Sequence, residues 1–246
     1  MSECVILAGG VASRLGARAG ELPKTLVPVA GRPFADHQLM WLAEQGVKKV
    51  VYCIAYRGDQ VREYVGDGSK WGLSVAYVDE GTDLRGTGGA LRLAYDEGAL
   101  GGRFAVLYGD AYLRLDLPNV FHAFEASAQP ALMTVLRNEG RWDKSNADFD
   151  GKLVMRYSKS QDDFEWIDYG LLVLERDVIA EIPADQPSDL ADLLSRLSDE
   201  GRLAGFEAKA RFYEIGSPSG LAELEAFLTT SGGPCSTPCR TTWQTG

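Results

Sequence analysis

Four cysteines in 246 residues are too few for a scaffold built on disulfides. Cys4 and Cys53 lie inside apolar stretches and are expected as buried thiols. Cys235 and Cys239 fall in a polar tail with no second Cys/His pair beside them, so no zinc site is expected there. No apolar run approaches the roughly 18 residues of a membrane span. Basic residues are the minority, 25 against 35 acidic ones, for a net charge of −10. That balance argues against a duplex-binding protein, because affinity for a phosphate backbone comes mainly from Lys and Arg. Small phosphate-bearing ligands remain open, since a metal ion or a local basic cluster reverses the field inside one cleft. Neither G-x-G-x-x-G nor G-x-x-x-x-G-K-[ST] occurs, which removes the two commonest nucleotide loops and, with the first, a hydride-transfer enzyme. The first strand begins almost at residue 1 and leaves no room for a signal peptide, so a cytoplasmic, reducing location is expected.

What the sequence does carry is alternation. Apolar residues make up 45% and charged residues 24%, enough for one large domain with a sizeable core. Strands are expected at Cys4 to Ala8, Val47 to Ala55, Leu73 to Val78 and Phe104 to Tyr108, separated by helices at Phe34 to Gln45, Gly58 to Val65 and Gly89 to Glu97. Further strands are expected at Ala131 to Leu136, Lys152 to Tyr157, Asp168 to Glu175 and Arg211 to Ile215. Ser188 is placed to cap a helix whose apolar stripe is Leu190, Leu193, Leu194 and Leu197. Ser217 and Pro218 have the chemistry of an N-cap and first helical residue for a last helix to Leu228. This pattern predicts a single α/β domain over 1–228, a Rossmann-like open, mixed and mostly parallel sheet with helices on both faces. Residues 229–246, rich in Thr, Ser, Gly and Pro, are expected as a flexible tail.

Two segments near the N-terminus carry chemistry. The first strand runs into LAGGVASRLG, residues 7 to 16. Glycines after a parallel strand let the backbone approach a ligand, and ligands of open α/β sheets sit at the carboxyl ends of the strands. Arg14, four residues past the glycine pair, can fork onto phosphate oxygens. LPKTLVPVAGRP follows at residues 22 to 33, where three prolines stiffen an extended segment that delivers Lys24 to a fixed point.

Together, G-G-x-x-x-R-L and P-K-x-L-x-P-V-x-G-R-P resemble the N-terminal signature of the sugar-1-phosphate nucleotidyltransferases. The resemblance continues through Gly86-Thr87-Gly88-Gly89-Ala90, Tyr108-Gly109-Asp110 and Phe212-Tyr213-Glu214-Ile215-Gly216-Ser217-Pro218, and spans roughly residues 3 to 228. It is strongest to short members such as heptose 1-phosphate guanylyltransferases and N-acetylmuramate 1-phosphate uridylyltransferases. The resemblance implies the nucleotide-diphospho-sugar transferase fold and an enzyme joining a nucleoside triphosphate to a sugar 1-phosphate with release of pyrophosphate. It implies that Leu7, Ala8, Gly9, Gly10, Arg14 and Lys24 hold the nucleotide, with Arg14 and Lys24 catalytic. It further implies that Gly86, Thr87, Gly88 and Gly89 hold base and ribose by backbone contacts. Asp110 and Glu214 would bind Mg2+, and Lys159, Asp168 and Gly170 would meet the sugar phosphate. Nucleic acid and membrane are not expected as partners, and the chain is expected as a monomer or small homo-oligomer.

Departures from the family pattern keep other readings open. Ala12 and Ser13 stand where the loop usually has Gly and Thr, Glu214 stands for Asp, and Asp168-Tyr169-Gly170 replaces Asn-x-Gly. Ser158-Lys159-Ser160 replaces the usual E-K-P. A cytidylyltransferase for a phosphoalcohol such as phosphocholine is one alternative, with Trp142, Trp166 and Tyr169 as material for an aromatic cage. A non-catalytic sugar-nucleotide-binding regulator is the other. A related glycosyltransferase would need D-x-D, and Asp110-Ala111-Tyr112 lacks the second Asp.

Overall fold

The computed structural model describes residues 3–10, 15, 22–161, 163–184 and 186–230. The first strand, β1 (Glu3–Leu7), is central, because each of its edges meets another parallel strand. A short hairpin of β2 (Pro28–Val29) and β3 (Arg32–Pro33) follows, turned by Ala30 and Gly31, both at positive φ. Helix α1 (Phe34–Glu44) then leads to β4 (Lys49–Ile54), α2 (Gly58–Val65) and β5 (Ser74–Asp79). Gly46, at φ 81°, ends the turn after α1, where its N–H donates to Ala43 O, as a C-terminal glycine stop should. Helix α3 (Gly86–Asp96) precedes β6 (Arg103–Tyr108), β7 (Ala111–Tyr112) and α4 (Leu117–Ser127).

The second half contributes β8 (Ala131–Arg137), β9 (Ala147–Phe149), β10 (Val154–Tyr157) and the long β11 (Trp166–Glu175). It closes with α5 (Leu190–Asp199), β12 (Leu203–Glu207), β13 (Tyr213–Glu214) and α6 (Pro218–Thr230). The nine-stranded sheet runs β10-β9-β11-β6-β1-β4-β5, with β8 beside β11 and β12 beside β8. Around β1 it is wholly parallel, and β11 joins it to the rest by antiparallel pairing with β6, β8 and β9.

Alternation along the strands divides the core into two layers. Cys4, Ile6, Val50, Tyr52 and Ile54 face one side, where α1, α2 and α4 pack. Val5, Val51 and Cys53 face the other, against Ala90, Leu91 and Ala94 of α3 and the four leucines of α5. Helices therefore cover both faces, as expected of an α/β sheet whose strands read as continuous apolar runs. A third cluster packs α6 through Leu221 and Leu224 onto Val29, Phe34, Tyr112 and Tyr213. Cys4 and Cys53 are free buried thiols, whereas Cys235 and Cys239 lie outside the described residues.

Local expectations differ from the structure at several points, the strands β7, β9 and β12 among them. The N-cap of α5 is Asp189, whose carboxylate accepts from Ala191 N at 2.9 Å, not Ser188. Ser188 is occupied otherwise: its N–H donates to Arg85 O and its carbonyl accepts from Gly88 N and Gly89 N. Helix α4 is an addition to the expected elements, capped by Asp116 and with Pro118 in its first turn. The expected strand Arg211 to Ile215 shortens to β13, paired with β7. Ser217 does cap α6, accepting from Gly220 N at 3.0 Å.

Candidate active site

Parallel pairing places the carboxyl ends of β6, β1, β4 and β5 side by side. The turn after β6, Gly109-Asp110, is held from every direction. Gly109 N donates to Leu7 O at 3.0 Å, and Thr25 Oγ1 donates to Gly109 O at 3.3 Å. Gln38, buried on α1, donates through Nε2 to Tyr108 O and Ala111 O at 3.1 and 2.9 Å. Ile215 N donates to Asp110 O at 3.0 Å. A Cβ on residue 109 would lie 2.5 Å from Leu7 O, so only glycine fits this approach of backbone to backbone. The result is a carboxylate on a rigid strand end.

Lys24 arrives on a short 3-10 turn, Lys24–Leu26, rather than on a simple extended segment. Pro23 presets the entry with φ −63°, and Thr25 and Leu26 are buried beneath it. The Lys24 ammonium meets Asp110 Oδ2 at 2.7 Å. Glu214 closes the same corner. A Cβ on Gly216 would lie 2.7 Å from Glu214 Oε2, 3.2 Å from Lys24 Nζ and 3.3 Å from Asp110 Oδ2. Cation and both acids thus surround one point. Glu214 also accepts from Gly216 N, from Ser217 N at 3.1 Å and from Ser217 Oγ at 2.5 Å, which fastens it to the start of α6. Hence Glu214, Gly216 and Ser217 form one local unit that orients the acid.

Two cavities meet at Tyr108 and Asp110. The first, of about 310 Å³, is bounded by Leu7, Ala8, Gly9 and Gly10, by Lys24, and by Gly86 and Thr87. Glu80, just beyond β5, also lines it. Its Oε2 accepts from Arg85 N at 2.8 Å, and a Cβ on Gly9 would lie 2.9 Å from Oε1. Burial pushes the Glu80 carboxyl above the usual carboxylate range, partly offset by that N–H. In the glycine-rich element, Gly88 N and Gly89 N are committed to Ser188 O. Gly86 has φ 74° and would bring a Cβ to 2.6 Å from Ser188 O. Thr87 accepts from Leu190 N and donates to Asp189 Oδ1. These residues therefore fasten α3 to α5, and Gly86 and Thr87 additionally face the cavity.

The second cavity, of about 640 Å³, lies beyond Asp110 and is edged by Tyr157, Lys159, Asp168 and Gly170. Gly170, at φ 97°, sits where the β11–β8 register shifts, a bulge that only glycine adopts without strain. Asp168 Oδ1 accepts from Gly170 N at 2.9 Å, while Tyr108 and Tyr157 hydroxyls approach Oδ2 at 3.4 Å. Burial raises the Asp168 carboxyl to about 6, against the opposing pull of these donors and of Lys159. Lys159, on the wall of this cavity, reaches Asp189 Oδ2 at 2.6 Å. Trp142 lines this cavity with the Arg211 guanidinium 4.1 Å above its ring. The three aromatics do not form a cage: Tyr169 is fully buried, and Trp166 packs edge-on against Phe149.

Arg14, Ala12 and Ser13 lie outside the described residues. Of the remaining residues expected from sequence, Gly88 and Gly89 line neither cavity, their N–H groups being taken by Ser188 O, and the others border one cavity or both. Reading the sequence missed Glu80, Tyr108, Tyr157 and Gln38. An acid at the carboxyl end of a predicted strand was a usable signal for Glu80; a glutamine inside a helix gives none.

The nucleotidyl transferase family profile matches residues 3–231, and the chain belongs to this family. It is 26% identical over 230 residues to the D-glycero-alpha-D-manno-heptose 1-phosphate guanylyltransferase of Aneurinibacillus thermoaerophilus, covering 92% of this chain and 98% of that protein. The crystal structure of HddC from Yersinia pseudotuberculosis superposes with a TM-score of 0.76 at 26% identity, covering 92% of this chain and all of that one. A shorter stretch of 76 residues, 31% of this chain, is 45% identical to part of the CMP-5'-(3-aminopropyl)phosphonate synthase of Streptomyces rubellomurinus, covering 12% of that protein. Three further curated relatives are longer, and the chain spans 52 to 66% of their length.

Proposed function

We propose that this nucleotidyl transferase moves a nucleoside monophosphate from a nucleoside triphosphate to a sugar 1-phosphate, a heptose or hexose 1-phosphate above all, giving a nucleotide sugar and pyrophosphate. The observation that carries this reading is the pair of cavities meeting at Asp110, with Lys24 at the seam. One cavity suits a nucleotide and the other a phosphorylated sugar, and their junction is where two polyanions must meet.

The reaction needs little acid–base help. A phosphate oxygen of the sugar 1-phosphate attacks the α-phosphorus in line, a new P–O bond forms, and the bond to the β-phosphate oxygen breaks to release pyrophosphate. The protein's part is alignment and charge neutralisation. Lys24 supplies a fixed ammonium beside the exchanging phosphates, and Lys159 can turn from the exposed Asp189 to an acceptor phosphate. Asp110 and Glu214 fit Mg2+, since both offer hard oxygen donors around one point. That ion commonly takes only one or two protein carboxylates and completes its shell with phosphates and water. When bound there it would neutralise charge on the triphosphate and the leaving pyrophosphate.

One observation favours a second reading. Asp168 puts a carboxylate into the acceptor cavity, so an acceptor bearing a cationic amine, such as an aminoalkyl phosphoalcohol or phosphonate, would also find a partner there. Both readings are separated by pyrophosphate release with magnesium. The assay crosses five nucleoside triphosphates with heptose, mannose, glucose and N-acetylmuramate 1-phosphates, phosphocholine and an aminoalkylphosphonate. Release that depends on one sugar 1-phosphate supports the first reading; release with an amine-bearing acceptor alone replaces it with the second. Silence across the whole set, with nucleotide bound, would make the chain a regulator. No helix among the described residues is long and apolar enough to cross a membrane, and a cytoplasmic setting accords with substrates of this kind.

A further inference from the structure

The seam between the cavities holds two carboxylates and one ammonium. Lys24 Nζ lies 2.7 Å from Asp110 Oδ2, and among the described residues no other cation pairs with that carboxylate. Glu214 is served by neutral donors: its Oε2 accepts from Gly216 N and from Ser217 N at 3.1 Å, and its Oε1 from Ser217 Oγ at 2.5 Å.

The backbone itself brings Lys24 onto Asp110. Thr25, buried just after Lys24 on the 3-10 turn, donates to Gly109 O at 3.3 Å, so the residues next to each member of the pair are bonded to one another. Gly216 leaves room for the contact, since a Cβ there would lie 3.2 Å from Lys24 Nζ and 3.3 Å from Asp110 Oδ2. The pairing is therefore made by the chain alone.

An ammonium in that position does part of the work of a bound cation, because it neutralises Asp110 and occupies Oδ2. A divalent ion arriving by itself must push the ammonium aside or bind next to it. Both oppose binding, since like charges a few ångströms apart repel strongly where water screens them only in part. Lys24 is 15% exposed and Asp110 35%, which meets that condition. A triphosphate alters the balance. Its oxygens give the ammonium a more highly charged partner, and they supply the ligands that Mg2+ needs beyond one or two protein carboxylates.

We infer that Lys24 is the metal site's own counter-ion: it closes Asp110 to a divalent ion until a triphosphate draws the ammonium away, so ion and nucleotide enter together. This deepens the nucleotidyl transfer reading and rests on it for magnesium at Asp110.

The test is a double-mutant cycle in Mn2+ affinity, read without nucleotide from the electron paramagnetic resonance of the free ion. It uses the full chain, Asp110→Asn, Lys24→Met and the double variant. Asp110→Asn alone should change the affinity less than about threefold, because Lys24 already holds that carboxylate. Lys24→Met should bind Mn2+ at least about tenfold tighter than the unaltered chain, and adding Asp110→Asn should abolish the gain. Lys159→Met removes one positive charge that pairs with Asp189 instead, and should change the affinity less than about threefold. The comparison of Asp110→Asn with the unaltered chain stands even if Lys24→Met folds poorly. A loss of about tenfold or more in Asp110→Asn alone, no gain in a folded Lys24→Met, a gain that survives in the double variant, or an equal gain in Lys159→Met would each overturn the counter-ion role. Pyrophosphate release by the unaltered chain, assayed separately, would leave nucleotidyl transfer standing beside any of those results. Binding of no triphosphate by the folded chain, even with magnesium, would overturn both.

Discussion

The Lys24 ammonium lies 2.7 Å from Asp110 Oδ2, a pair 86 residues apart in sequence that stands where the two cavities join. Lys24 is 15% exposed and Asp110 35%, so the pair is shielded from solvent on one side and open to ligand on the other. Lys24→Ala should lower kcat by about 100-fold, the scale of losing one preorganised donor at roughly 3 kcal/mol. Steady-state kinetics with both substrates saturating check this, and wild-type turnover in the variant would remove Lys24 from the reaction.

Gln38 holds Asp110 from behind. Its Nε2 serves both Tyr108 O and Ala111 O, and Gln38→Leu would strip two backbone carbonyls of their donor. Stability should fall by about 2 kcal/mol or more, read from urea unfolding. Because Asp110 lies between those carbonyls, activity per folded molecule should fall as well. A variant with full activity and unchanged stability would show that the turn holds itself.

Asp168 carries a pH signature. Its carboxyl is raised from 3.8 to about 6 by burial, so the folded state binds a proton more tightly than the unfolded one. The unusual sign follows: between roughly pH 4 and 6 this group lowers stability as pH rises. Asp168→Asn should flatten that slope and leave the protein more stable than wild type at pH 7, by up to about 2 kcal/mol once solvent reaching the half-buried group is allowed for. Thermal melts at pH 4.5, 6 and 7.5 measure it. Parallel curves for the two proteins would mean that Asp168 is not strained by its burial.

Lys159 separates binding from folding. It is exposed and pairs with Asp189 in water, an interaction of little stabilising value. Lys159→Ala should therefore leave the melting midpoint almost unchanged while raising KM for the acceptor about tenfold. A change in KM for the nucleotide instead would reassign this lysine to the other cavity.

The lining of the first cavity is more legible in the sequence than that of the second, and the reason is physical. Gly109, Asp110 and Gly9 lie at ends of strands whose apolar runs are long and buried, so strand boundaries and turn residues coincide in the sequence. Asp168 is set instead by a bulge within β11, and its tyrosine partners come from β6 and β10, a juxtaposition that no local spacing encodes. Glu80 was legible only as an acid after a strand. Its position depends on Gly9, 71 positions earlier, having no side chain where Oε1 sits. The short strands β7 and β13 exist through pairing with each other across a long stretch of chain, and residues so few carry no periodicity of their own.

The central claim is that one product molecule spans both cavities. A crystal structure with magnesium and the nucleotide sugar identified by pyrophosphate release tests it most directly. Expected are the nucleoside in the first cavity, the diphosphate against Lys24 and Asp110, and the sugar ring in the second cavity against Tyr157 and Asp168. A diphosphate bound away from Lys24 and Asp110, or a sugar left outside the second cavity, would contradict it.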